Sequence, residues 1–123
     1  MRLQPDHTLS LSPSDLSNHL ACPHLTTLSV SATRGEIVKP KLESPHRDLI
    51  FRKGNEHEAA YLAALVADGR DVVTIEHDWD LEVAAQRTRE AMAAGADVIY
   101  QACFVDGRWR GFADFVERQP DGL

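Results

Sequence analysis

An acidic side chain inside an apolar strand is the first place where chemistry can be sought in this sequence. The segment Gly111-Phe112-Ala113-Asp114-Phe115-Val116 reads as a strand, and strand interiors disfavour aspartate. Alternation puts Phe112, Asp114 and Val116 on one face and Ala113 and Phe115 on the other, so Asp114 has apolar neighbours whichever face is buried. A carboxylate so placed needs a partner; the plain alternative is a solvent-facing Asp on a half-exposed sheet. A second cluster, Gly54-Asn55-Glu56-His57-Glu58, brings an imidazole and carboxylates onto one turn of a helix. Counting back from Tyr61 and Leu65 places His57 on their face. Adjacent helical residues point about 100° apart, so only one of His57 and Glu58 is expected to face a common site. On the ordinary reading Glu56 and Glu58 solvate an early turn and His57 is a partly buried helix residue.

Other residues are weaker candidates. Cys22 stands before Pro23 at a helix junction, where a small buried thiol is the plain reading; Cys103 falls in a strand pattern and reads as core. Gln101 lies one strand before Asp114, and either faces the same site or sits on a solvated sheet face. Arg108-Trp109-Arg110 joins positive charge to a stacking surface suited to DNA; the alternative is exposed positions around one packed Trp.

The elements that must position these residues are legible in outline. Met1 to Leu11 is irregular, with a short extended segment around Leu9 and Leu11. Ser12-Pro13-Ser14-Asp15 starts a helix running to about Ala21, since Ser12 can cap it, Pro13 suits its first turn and Asp15 favours its positive end. Cys22-Pro23 breaks and restarts the chain. In the helix that follows, Leu25, Leu28 and Ala32 form the expected inner face. Gly35 to His46 holds Pro40 and Pro45 and reads as a loop. Leu49, Ala60, Tyr61, Ala64 and Leu65 have the spacing of an amphipathic helix over about 48–68, closed by Gly69. Residues 71–76 are rich in β-branched side chains and read as a strand, and 81–94 as a helix with Val83, Ala84, Thr88, Ala91 and Met92 near one face. Strands over 97–105 and 108–116 flank Asp106-Gly107, a two-residue hairpin signal in which both central positions favour positive φ. Gln119-Pro120-Asp121-Gly122 has the composition of a further tight turn, which predicts a returning strand from Leu123. Without that strand the one carrying Asp114 is left at a sheet edge, and we expect the sequence to be a fragment.

Length and composition set bounds on function. With 123 residues, 43% hydrophobic and 26% charged, the chain fits one folded domain and is far from the composition of disorder. A net charge of −6 argues against binding nucleic acid through charge alone, yet it suits acidic side chains that hold Mg²⁺ or Mn²⁺. Two cysteines are too few for a disulfide framework, and no stretch approaches the ~20 apolar residues of a membrane span, so a cytoplasmic protein is expected.

A resemblance draws the candidates together. Gly111-Phe112-Ala113-Asp114-Phe115 resembles the Gly-x-x-Asp element of RecB-like nucleases of the PD-(D/E)XK class. Leu11 to Leu16 with Leu20-Ala21-Cys22-Pro23-His24 resembles their opening helix and Cys-Pro element, and Gly54 to Glu58 resembles their first motif. Most similar is a bacterial group of RecB family nucleases often joined to a superfamily-1 helicase, with comparable Gly-Ala-Asp-Val-Ile-Tyr-Gln-Ala and Gly-x-Ala-Asp-Phe segments; the likeness spans nearly the whole chain. The resemblance implies an α/β fold: a restriction-endonuclease-like core with N-terminal helices and a long helix packed on a small mixed sheet. Residues 1–46 would be a helical N-terminal region with its loop, and 47–123 the start of the nuclease core. It implies metal-dependent DNA cleavage in repair, recombination or defence. Asp114 and His57 would be metal ligands, and Asp114, His57 and Glu58 the catalytic set. Mg²⁺ or Mn²⁺ would lower the pKa of a water and stabilise charge on the phosphate. It further implies a [4Fe–4S] cluster held by Cys22 with three cysteines outside this sequence. The Glu/Asp-x-Lys pair of such enzymes is absent, because Lys39, Lys41 and Lys53 all precede Asp114. Catalysis is therefore expected to need residues beyond these. The rival expectation is a non-catalytic DNA-binding or protein-interaction module associated with a helicase.

Overall fold

The structure, a computed structural model, describes residues 1–41 and 43–120. The chain forms two compact units: residues 1–42 with 105–111, and residues 43–104 with 112–123. The turn residues Asp121 and Gly122 and the strand expected from Leu123 lie outside the described residues.

In the first unit, β1 (Arg2–Leu3) pairs antiparallel with β2 (Leu9–Ser10), with Arg2 opposite Ser10 and Leu3 opposite Leu9. The connecting turn is held by the Asp6 carboxylate, which accepts from the amide and the hydroxyl of Thr8 at 3.0 and 2.7 Å. Helix α1 (Pro13–Ala21) starts as its sequence predicts: Asp15 reaches back to accept from the amide and hydroxyl of Ser12 at 2.8 and 2.7 Å. Cys22 is extended between α1 and α2 (Pro23–Thr33), because the residue before a proline avoids helical geometry. Leu25 and Leu28, expected to face inward, are exposed, and α2 buries no side chain. The hairpin tip belongs to this unit for a backbone reason. Leu11 donates to the Arg108 carbonyl and accepts from the Arg110 amide at 2.7 and 2.9 Å, and Arg108 Nε donates to the Leu9 carbonyl. These long-range bonds have no signature in local sequence.

The second unit is a mixed α/β arrangement. Helix α3 (Pro45–Ala67) starts earlier than expected because Ser44 caps it, accepting from the Arg47 amide at 3.3 Å, and Pro45 suits the first turn. Strand β3 (Val72–Thr74) leads through α4 (Leu81–Ala94) to β4 (Val98–Asp106), which runs parallel to β3 with Val72 beside Val98. Strand β5 (Trp109–Glu117) completes a three-stranded sheet in the order β3-β4-β5. The hairpin turn falls one residue later than expected: Asp106 still belongs to β4, and Gly107 and Arg108 make the turn. Only Gly107 takes a positive φ, 54°, so the turn asks for glycine at its first central position alone, as in type II′ geometry.

The core lies between α4 and the first two strands of the sheet. Ala84, Ala85 and Ala91 are buried against a unit that also buries Ile75, Val98, Ile99, Ala102 and Cys103, and alanines on the helix allow close approach to the sheet. Val83 and Met92, expected on this face, are exposed while Ala85 is inside. Thr88 is the polar exception: its hydroxyl donates to the Ala84 carbonyl at 3.1 Å and accepts the Cys103 amide at 3.0 Å. No helix of the described residues is long and apolar enough to cross a membrane.

Candidate active site

The second unit carries an open cleft of about 420 Å³. Helix α3 lines it with Gly54, Asn55, His57 and Glu58, and β5 lines it with Asp114 and Phe115. The glycine-to-glutamate cluster and the acidic strand residue, fifty-odd positions apart in sequence, thus meet on one surface. Gly54 borders open space, since a Cβ there would have nothing within 4 Å.

The residues differ in how firmly they are held. His57 is exposed rather than on the buried face predicted from Tyr61 and Leu65, and Tyr61 itself is 39% exposed. Helix α3 packs through Leu65 with Glu58 and Leu62 half-buried, so the face turned to the sheet is offset by one residue from the expected one. Asp114 is exposed, as the solvent-facing alternative had it, although it lines the cleft. Glu56 is paired with Lys53 at 2.7 Å on the outer surface of the helix.

Glu58 is the most constrained of the set. Its Oε1 accepts from Tyr100 Oη and from Gln101 Nε2, each at 2.7 Å. The pKa of the Tyr100 phenol is raised, first by its hydrogen bond to Glu58, then by burial and by the charges of Glu58 and Asp114. The Asp114 carboxylate therefore shares the electrostatic surroundings of the Glu58 group. A parallel arrangement lies further along α3: Tyr61 donates to Glu117 of β5, whose other oxygen is 3.9 Å from Arg70. The Phe115 ring meets Tyr61 edge-on with centroids 4.9 Å apart and Tyr100 at 5.1 Å. The sequence did not single out Tyr100; its one signal is two consecutive polar-tipped residues, Tyr100-Gln101, in a strand otherwise fit for burial.

The donor set does not complete a metal centre. Among the described residues no group of three or more His, Cys, Asp or Glu could hold an ion, and the best-oriented carboxylate already carries two donors on one oxygen. The Mg²⁺ or Mn²⁺ implied by the resemblance does not fit these residues alone. Cys22 is an exposed thiol rather than a buried one, and Cys103 is buried in the other unit, with its pKa raised by that burial. The tip residues are engaged within the first unit: Arg110 is half-buried, with its pKa lowered first by burial and then by Arg2, while Trp109 remains 43% exposed.

No family model, curated protein or solved structure matches this chain. The chemistry of the cleft therefore stands on its own residues.

Proposed function

We propose that this chain supplies the front part of a RecB-like PD-(D/E)XK nuclease, with α3, β3, α4, β4 and β5 as part of a restriction-endonuclease-like core. One observation carries the reading: Asp114 of the hairpin strand and His57 and Glu58 of the long helix line a common cleft. On this reading Asp114 and His57 contribute ligands to an open site for Mg²⁺ or Mn²⁺, and Glu58 is the first-motif acid. The remaining ligand and the lysine that orients water would, on this reading, be supplied by residues other than these 123. Cluster ligation by Cys22 requires three further cysteines in the same way. What the chain itself offers is placement: open space above Gly54, an aromatic wall of Phe115 and Tyr61, and an oriented carboxylate.

A polypeptide continuing this chain through a Glu/Asp-x-Lys strand should cleave DNA in Mn²⁺ or Mg²⁺, and Asp114→Ala should abolish that cleavage. Unchanged cleavage by the variant rejects the site. Calorimetry of the 123-residue chain with Mn²⁺ should show weak binding or none. The second reading, a non-catalytic DNA-binding or interaction module working with a superfamily-1 helicase, draws on Arg2, Arg108 and Arg110 beside exposed Trp109 in the first unit. It predicts salt-sensitive DNA binding by the chain in the absence of metal, weakened by Arg108→Ala.

A further inference from the structure

A regular strand cannot bring two consecutive side chains to one atom, because neighbours leave opposite faces of the sheet. In β4 two consecutive side chains do meet on one atom, Oε1 of Glu58, to which Tyr100 and Gln101 both donate at 2.7 Å. The backbone of Gln101 makes this possible. Its φ of 58° lies in the left-handed region, which a residue with a Cβ occupies at a cost. Consecutive residues are buried on both sides of this irregularity, Val98 and Ile99 before it and Ala102 and Cys103 after it, so the backbone around Gln101 is enclosed by packed strand. The amide orientation follows from chemistry, since a carboxylate oxygen can only accept and Nε2 must be the donor.

Attachment of α3 to the sheet does not call for such a device. Tyr61 already donates to Glu117, and Phe115 packs against both tyrosines. What Gln101 adds is a second donor on the oxygen that Tyr100 holds, and two donors fix the direction of a carboxylate where one leaves it free to swing. We propose that Gln101 is a positioning residue, kept in a strained backbone so that its amide and the Tyr100 hydroxyl orient Glu58 within the cleft for action on a bound phosphodiester. The role assigned to Glu58 rests on the nuclease reading; the clamp does not.

The test uses the 123-residue chain and two variants. Gln101→Gly suits the left-handed backbone and lacks the amide, and Gln101→Asn tolerates that backbone with an amide one methylene too short. Three-bond couplings and side-chain relaxation measured by NMR report how many rotamers Glu58 visits. In the parent chain Glu58 should hold one rotamer; in both variants it should average over several, while the melting temperature of Gln101→Gly is no lower than the parent's. A Glu58 that stays fixed in both variants overturns the proposal, and so does a variant that folds but melts well below the parent, which marks a structural role. Should Gln101→Gly fail to fold, Gln101→Asn decides by the same measurement. If the clamp loosens as expected while Asp114→Ala leaves cleavage by the longer polypeptide intact, the nuclease reading falls and the clamp stands.

Discussion

Helix α4 and the helices α1 and α2 all carry apolar side chains spaced along the helix, yet they are used differently. Helix α4 buries Ala84, Ala85, Thr88 and Ala91, whereas neither α1 nor α2, all of whose residues are described, buries a side chain. The leucines of the first unit, Leu16, Leu20, Leu25 and Leu28, are exposed, and this unit is ordered by polar ends: a capping box, an Asx-like turn and backbone bonds from Leu11 to the hairpin tip. The second unit is ordered by burial, and it carries the cleft. The contrast teaches that local hydrogen bonding can define an element's limits while its leucines stay exposed, even though α1 and α2 lie against each other. The cleft, and the carboxylate that Tyr100 and Gln101 hold by hydrogen bonds, lie in the unit with the buried core.

The contrast can be broken most directly by truncating one leucine in each unit. Leu65 is 6% exposed and is the buried residue of α3, so Leu65→Ala should cost roughly 2–5 kcal/mol in denaturant unfolding. Leu20 is 76% exposed, and Leu20→Ala should change stability by no more than about 0.5 kcal/mol. Similar losses for the two would mean that the first unit has a core of its own. A smaller effect is expected at Thr88: Thr88→Val keeps the shape but leaves the buried Cys103 amide without its acceptor, at about 1–3 kcal/mol. Smaller again, and opposite in sign, is Gly54→Ala. Its methyl meets nothing within 4 Å and removes a helix-interior glycine, so stability should rise by up to about 1 kcal/mol. A fall instead would show that the cleft closes onto Gly54 in solution.

These experiments probe what the sequence left open. Caps and breakers were readable because each acts within a few residues: Ser12 with Asp15, Pro23 after Cys22, Gly95 after α4. The pairing of β4 with β5 was readable from the hairpin signal, whereas a common site for Asp114, His57 and Glu58, which line one cleft, was expected only from the family resemblance. The inward face of α3 was missed by one residue because Tyr61 looks apolar in a pattern but serves as a hydrogen-bond donor at the surface. The turn at Gly107 was misplaced because Asp-Gly favours type I′ geometry, whereas Asp106 remained in the strand. The clamp on Glu58 was not readable at all. It depends on one left-handed residue that no local propensity favours, since glutamine gains nothing from that region except the bond it makes there.

The mildest prediction concerns pH and again separates the units. Partial burial disfavours the charge of Asp15, but hydrogen bonds from the Met1 ammonium and from the hydroxyl and amide of Ser12 outweigh it, holding the carboxyl below its usual 3.8. Because the folded-state value lies below the unfolded one, the stabilisation is fully present above about pH 3.8 and is lost as pH falls through the lower folded value. Amide NMR signals of α1 should therefore lose dispersion during acid titration before those of α4, whose Asp80 cap is backed by the buried Ala84, Ala85, Thr88 and Ala91. Asp15→Asn should remove that pH dependence, since the amide keeps an acceptor but carries no charge to titrate. If α1 and α4 lose their signals together in both proteins, the polar ends do not set the stability of the first unit, and the division between a unit ordered by caps and one ordered by packing fails.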